Sequence, residues 1–358
     1  MSILVTGFPG FLGSRLLPRI AKRTGGQILC LVQPKFRAIA EARLEEVVAE
    51  VPGLRERVRL VDGDITHPRL GLAKGEASGL REIFHLAAIY DLNVPRDTAM
   101  RVNVEGTRRV LEVAAANAEL VRLQYVSTCY VSGRSEGVFR ESDLDKGQTF
   151  NNYYEETKFL AEVEVRKAME GGVPATVYRP AIVVGDSVTG ETLKYDGPYY
   201  AIRWVVRQRG IAIMPIVGDT DRNVLNVVPS DWVIEAIDRL SSMEASAGVT
   251  YQLADPDPLT IRELLELIEK SSGRKILKVP LPLGVAKFAL DRVPGVYWLM
   301  QIPSGAIDYF VHPTRYDTTN TRRDLAGVGL AVPRFADYGP RLVDYVRRHP
   351  DVPSTAMA

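Results

Sequence analysis

Cysteine is nearly missing from this chain, with two thiols in 358 residues. Cys30 and Cys129 sit in apolar surroundings and form no CxxC pair. That excludes a disulfide framework and favours a reducing, cytoplasmic setting. Histidine is scarce too: His67, His85, His312 and His349 fall at no metal-ligand spacing, so no metal is expected. A charge excess is also lacking. Lys and Arg number 45 against 44 Asp and Glu, and they are scattered, which argues against a nucleic-acid partner. No long hydrophobic run is present. The longest uncharged stretch, Val293 to Ile307, is broken by Pro294, Gly295 and Pro303 and falls short of the ~20 residues a spanning helix needs. No leader is expected ahead of a fold that begins by Ser2 or Ile3. Repeats and low-complexity tracts are absent.

What is present is the composition of an ordinary globular protein, 46% hydrophobic and 25% charged. The first half alternates two periodicities. Strand-like runs fall at Ile3–Val5, Ile28–Val32, Val58–Val61, Ile83–His85, Arg122–Val126 and Ala175–Tyr178. Helical patterns lie between them at Phe11–Lys22, Ala38–Val51, Met100–Asn117 and Tyr153–Met169. Such alternation implies an α/β fold, a doubly wound parallel sheet with ligands at the carboxyl ends of its strands. Past Gly185 the rhythm breaks. Helix Ser230–Ser242 and strand Thr250–Ala254 read as returns to the sheet, and Ile261–Ser271 as the clearest helix of a second unit. The expected division is a nucleotide-binding domain over 1–184 with returns near 225–254. A smaller, mainly helical C-terminal substrate lobe follows over 185–224 and 255–350, and then a frayed tail over 351–358.

The octet "TGFPGFLG", Thr6 to Gly13, joins the first strand to the first helix. A glycine-rich turn there exposes backbone N–H groups at the positive end of a helix, where a pyrophosphate can sit. Gly7 makes the turn, Gly10 lets the backbone approach the phosphates, and Gly13 lets helix and strand pack closely. Pro18 conflicts with this reading, since it should kink the helix or end it early.

TGxxGxxG resembles the signature of the short-chain dehydrogenase/reductase family, and further motifs follow in that family's order. "DGDI" (Asp62–Ile65) follows the third strand, "HLAA" (His85–Ala88) ends the fourth, "NVEGT" (Asn103–Thr107) lies in the next helix, and "YEETK" supplies Tyr154 and Lys158. The length and the appended lobe resemble the extended branch, built on a Rossmann domain. By that resemblance the cofactor site comprises Thr6, Gly7, Pro9, Gly10, Phe11, Leu12 and Gly13 in the turn, and Asp64 and Ile65 beside the adenine. Leu86, Ala87 and Ala88 follow the fourth strand, and Pro180, Ala181 and Val183 line the nicotinamide.

Tyr154 and Lys158 are four apart and share one helix face, with Ala161 and Val165 continuing it inward. A phenol of pKa ~10 needs a nearby cation to favour its phenolate, and Lys158 is that cation. In the family this lysine also bonds the nicotinamide ribose. Tyr153 has no lysine at the fourth position and is assigned to packing. In "YVSTCYVSG" the family spacing selects Thr128 as the hydroxyl that holds the substrate carbonyl, with Ser127 as the near alternative. Asn103 either stabilises the site's architecture or is a buried helix polar group.

Gln33 stands where an acid would bond the ribose 2′-hydroxyl of NAD, and Lys35 and Arg37 follow it. A neutral amide with cations nearby suits the 2′-phosphate of NADP, so NADP is expected ahead of NAD. Within the family, "TGFPGFLG", "HLAAIYDL", "VSTCYV" and "RPAIVVGDSVTG" are most similar to fatty acyl-CoA and thioester reductases. The apolar stretch Val279–Pro303 could line an acyl channel, face a membrane peripherally, or pack on its own core. A homodimer is compatible with it. The substrate expected is an apolar acyl thioester or aldehyde, free, CoA-bound or on a separate carrier. Three other readings stay open: a nucleotide-sugar epimerase or dehydratase, a hydroxysteroid or 3-hydroxyacyl dehydrogenase, and a non-catalytic NAD(P)-sensing binder. Cys129 and Tyr130 after Thr128, in place of the acidic pair of dehydratases, weigh against the first. The intact Tyr–Lys pair weighs against the last.

Overall fold

In a computed structural model, residues 2–51, 53–91 and 94–354 are described. Seven strands, β1 (Ser2–Thr6), β2 (Gln27–Val32), β3 (Val58–Asp62), β4 (Leu80–His85), β5 (Arg122–Val126), β6 (Ala175–Pro180) and β7 (Thr250–Leu253), form one parallel sheet. Their order is β7-β6-β5-β4-β1-β2-β3. The order reverses between β1 and β4, so the loops leaving those strands diverge and open a crevice at their carboxyl ends. Parallel strands covered on both faces must be buried throughout, and β5, β6 and β7 are buried at every residue.

The first helix, Phe11–Arg23, runs through Pro18 without ending. The expected break does not occur. Leu16, Leu17 and Ile20 on that helix are fully buried, and burying each such side chain is worth ~1.5–3 kcal/mol. Together they outweigh the ~3 kcal/mol a helix-interior proline costs. The expected helix Met100–Asn117 is also different in kind. A helical turn at Arg96–Ala99 leads into a π-helical stretch over Met100–Glu105, and α-helix resumes over Gly106–Ala116. Gly106 has no room for a Cβ, which would lie 2.7 Å from the Ile65 side chain.

A second core gathers the helices Pro198–Arg207, Ile261–Ser272 and Phe335–Arg348 around Tyr199, Ile202, Leu264, Leu265 and Leu342. The helix from Ile261 starts on a capping box: the Thr260 hydroxyl accepts from the Glu263 N–H, and the Glu263 carboxylate accepts from the Thr260 N–H. Strand Ile211–Ile216 pairs in parallel with Lys275–Pro280. Two expectations for the C-terminal lobe are corrected. Thr314–Tyr316 pairs with Gly137–Phe139, and the helix Thr319–Ala326 packs on β7, so this segment returns to the main core with Tyr316 and Leu325. Within the expected tail, residues 351–354 are docked: the Tyr195 N–H donates to the Pro353 carbonyl at 2.8 Å. The rest of that tail lies outside the described residues.

One buried ion pair ties the helix Tyr153–Glu170 to the sheet. Glu162 and Arg179 are both wholly buried and meet at 2.6 Å. The Glu162 carboxylate also accepts from Ser127 Oγ at 2.6 Å, and Arg179 donates to the Asp143 carbonyl at 2.7 Å. The Arg179 and Arg166 charges hold the Glu162 carboxyl below its ordinary range against burial. Glu162→Gln leaves a buried guanidinium without its counter-charge, and we expect ~3–5 kcal/mol of lost stability, read as a lower urea midpoint at unchanged slope.

Candidate active site

Gly7 anchors the turn after β1 at φ +90°, and a Cβ there would strike the Leu86 backbone at 2.8 Å. Gly10 and Gly13 are both cleared for one atom, the Gly7 carbonyl oxygen, which their Cβ atoms would meet at 2.7 and 2.6 Å. The helix that follows has no side-chain cap and no acid in its first turn. Its leading N–H groups, from Phe11 and Leu12, therefore lack an internal partner. A glycine cradle that a Cβ would fill, below an uncapped helix start, fits a dinucleotide's pyrophosphate. Ser14 closes the cradle by donating to the Pro9 carbonyl at 3.0 Å.

Behind the turn runs a buried polar chain. The Ala87 N–H donates to Thr6 Oγ1 at 3.2 Å, and Thr6 Oγ1 lies 2.8 Å from His85 Nδ1. His85 Nε2 lies 3.1 Å from Thr107 Oγ1, which donates to the Asn103 carbonyl at 2.6 Å. Burial and the nearby Lys158 push His85 down to about 3, so it is neutral. The directions then follow: Thr6 donates to Nδ1, and Nε2–H donates to Thr107. Leu86, Ala87 and Ala88 are thereby held against the glycine turn.

Asn103 clips three elements together. Its carbonyl accepts from the Ile89 N–H at 2.8 Å, and its amide donates to Thr157 Oγ1 at 3.0 Å. It sits in the π-helical stretch, a form that recurs at functional sites. Of the residues expected near the adenine, Asp64 accepts from Gln33 Nε2 at 3.0 Å and from the Thr66 N–H at 2.8 Å, while Ile65 is buried in the core. Arg37 is already engaged by Asp62 and Glu41, both at 2.9 Å. Lys35 lies over the Phe36 ring and makes no ion pair among the described residues.

The helix Tyr153–Glu170 is capped by Asn152, whose side chain accepts from the Glu155 N–H at 3.0 Å. Tyr154 is buried and packs edge-on against Tyr90, ring centroids 4.7 Å apart. Burial holds its phenol well above the ordinary range, opposed by the nearby Thr128 hydroxyl. Tyr153 is 47% exposed, so its assignment to packing is corrected. Lys158 does not engage Tyr154 directly. Its Nζ donates to the Val126 carbonyl at 2.9 Å and to the Tyr125 hydroxyl at 3.2 Å, and burial pushes it down to about 8. Ala161 and Val165 continue the helix face into the core. Ser127 is held by Glu162, which leaves Thr128 as the hydroxyl beside Tyr154. Thr128 also donates to the Pro180 carbonyl at 3.3 Å. Ala181 bonds back to β7 through its N–H, and Val183 pairs with Val228.

A cavity of about 960 Å³ opens beside Tyr154's neighbour Tyr90, bounded by Tyr130, Ile182, Lys194, Tyr309 and Trp298. Its aromatic lining leaves no mark on the sequence pattern, because Tyr90, Tyr130, Tyr200 and Tyr309 come from four separate segments. Glu155 gives no signal there either. It is buried behind Tyr309 and bonded by Asn151, and burial pushes it up to about 7. The Val279–Pro303 stretch divides three ways. Tyr297, Trp298 and Gln301 line the large cavity, while Leu281, Leu290 and Met300 line an apolar void of about 110 Å³. Val285 and Phe288 face outward. Among the described residues no helix is long and apolar enough to cross a membrane, and no side-chain cluster could hold a metal ion.

The family model described as "Male sterility protein", an NAD-binding family, matches residues 5–237. The chain belongs to that family. Its fold is that of the extended short-chain dehydrogenases/reductases. It is 28% identical over 318 residues to a linear gramicidin synthase of Brevibacillus parabrevis, covering 85% of this chain and 6% of that protein. It is 27% identical over 278 residues to fatty acyl-CoA reductase wat of Drosophila melanogaster, covering 66% of this chain and 53% of that one. The chain thus spans only part of these curated relatives. Among solved structures it is similar to the terminal R domain from the myxalamid PKS-NRPS biosynthetic pathway. Identity there is 27% and the TM-score 0.81, with 98% of this chain and 92% of that one covered.

Proposed function

We propose that this protein is an NADPH-dependent reductase of an apolar acyl thioester or the matching aldehyde. The observation that carries the reading is a buried, protonated phenol, Tyr154, with the Thr128 hydroxyl near it, packed against Tyr90 at the edge of a large tyrosine-lined cavity. When bound, the reduced nicotinamide supplies the hydride. Thr128 positions the substrate's carbonyl oxygen, and Tyr154, kept neutral by burial, gives that oxygen its proton. Lys158, whose ammonium sits at the end of β5 without touching Tyr154, stabilises the phenolate that remains through its charge, and it would hold the ribose. Asn103 keeps the loop after β4 and the helix of Tyr154 in register. The nucleotide domain over 1–184 and a lobe built on the second core are the proposed working units. The relatives' names, a fatty acyl-CoA reductase and a gramicidin synthase, support an acyl substrate presented as a thioester.

The test is NADPH oxidation with saturated aldehydes and acyl thioesters of increasing length, beside sugar nucleotides and ketosteroids. Each buried CH₂ is worth ~0.8 kcal/mol, so apparent affinity should rise a few-fold per methylene and then level off. A flat response together with turnover of a sugar nucleotide overturns the proposal. In the same assay Tyr154→Phe should lose ~100-fold or more in turnover while Tyr153→Phe, at an exposed ring, stays near wild type.

The pH dependence follows from Lys158. Its ammonium form is present below about 8 and is lost as pH rises through that value. Turnover with saturating substrate should therefore decline above pH ~8, about tenfold per unit. A profile flat to pH ~10 would remove Lys158 from this role.

NADP preference rests on Gln33 and Lys35, because Arg37 is held by Asp62 and Glu41. One charge-assisted contact to a 2′-phosphate is worth ~1.5–3 kcal/mol. Fluorescence titration should show NADPH bound at least ~10-fold tighter than NADH, with Lys35→Glu erasing the difference. Equal affinities in the wild type would make NAD the cofactor.

A further inference from the structure

Three cations line the large cavity: Lys194, Arg203 and Arg207. Lys194 is matched by Asp196 at 2.7 Å and lies over the Tyr90 ring. The two arginines are differently placed. They stand four residues apart on the helix Pro198–Arg207, on one face, and neither meets a carboxylate within ion-pair distance among the described residues. Both donate instead to a single acceptor, Gln301 Oε1, at 3.1 and 2.8 Å, and Arg203 also donates to Ser354 Oγ. Partial burial and the charge of Arg207 lower the Arg203 pKa. Gln301 is itself unusual, a non-glycine residue at φ +53°. Left-handed backbone and two like charges clasped on one amide oxygen concentrate unfavourable energy at one point of the cavity wall, as functional sites do.

What relieves such a pair is an anion with several acceptor oxygens. Phosphate matches two guanidinium forks, and each N–H···O bond is charge-assisted. On the same wall Tyr297 and Trp298 leave their rings 55% and 79% exposed beside the arginines. The cavity continues inward to Tyr90, Tyr130 and Tyr309, next to Tyr154. A ligand held by phosphate at the arginines can therefore extend toward the reacting carbonyl.

We infer that Arg203 and Arg207, bridged by Gln301, form a clamp for the phosphate ester at the far end of the substrate's thioester handle. This rests on the thioester reading above. The chemistry is shared by a carrier-borne phosphopantetheinyl arm and by coenzyme A.

The experiment compares one acyl group on pantetheine, phosphopantetheine and coenzyme A, with wild type, Arg207→Gln, and Arg203→Gln/Arg207→Gln. The preference in kcat/KM for a phosphorylated handle over pantetheine should fall ~10–100-fold in the double variant. The fall should be smaller in Arg207→Gln, whose exposed side chain makes misfolding no explanation. It should come mainly through KM and shrink at high salt. A fall for both phosphorylated handles supports the clamp on the shared phosphate. A fall for only one of them supports it and identifies the source. An unchanged preference, or an equal loss with pantetheine, overturns it. If the wild type reduces no thioester, the thioester reading fails, and calorimetric titration with phosphopantetheine decides the clamp separately. Binding that the double variant loses keeps it, and no binding by the wild type overturns it.

Discussion

The Glu162–Arg179 pair is the constraint on which the rest of the site depends. It is wholly buried, so neither partner can be met by water, and the helix Tyr153–Glu170 cannot slide or rotate without stranding a charge. Lys158 and Tyr154 lie about one and two turns earlier on the same helix, so their positions over β5 are set by that bond. The same carboxylate takes the Ser127 hydroxyl. Thr128, the next residue, is thereby the hydroxyl left to face Tyr154.

Around this anchor the site is arranged to keep groups uncharged. His85 is neutral and relays hydrogen bonds from Thr6 to Thr107, which holds the loop after β4 against the glycine turn. Tyr154 is kept protonated by burial, the state required of a group that gives a proton to a carbonyl oxygen. The charge that is retained sits on Lys158, and its low pKa shows how strongly burial acts on it. The second core brings the cavity, and with it a different electrostatic character at the outer wall, where Arg203 and Arg207 stand together with no carboxylate at ion-pair distance among the described residues.

Much of this was legible in the residues. Strand Arg122–Val126 and helix Ser230–Ser242 fall where their apolar patterns predict, because each pattern reports a face that must be buried. The glycine turn was legible for a similar local reason: only glycine fits where a Cβ would strike the Gly7 carbonyl. Pro18 misleads because propensity is local while the burial that overrides it is not. Tyr153 misleads because its neighbour's importance says nothing of which ring faces inward. Arg37 looks available along the chain, and its partner Asp62 comes from another strand.

By itself, the sequence determined the alternation of the parallel sheet, the glycine cradle, and the Tyr154–Lys158 face of one helix. These are properties of residues close together in the chain, where backbone geometry alone fixes which side chains are neighbours. Only the tertiary structure decided that Thr128 and not Ser127 faces Tyr154, and that Lys158 reaches the end of β5. It also decided that Thr314–Ala326 returns to the main core, and that four distant tyrosines and two arginines share one cavity. Those outcomes depend on which buried charges and polar groups find partners across the fold, and sequence spacing carries no record of that pairing.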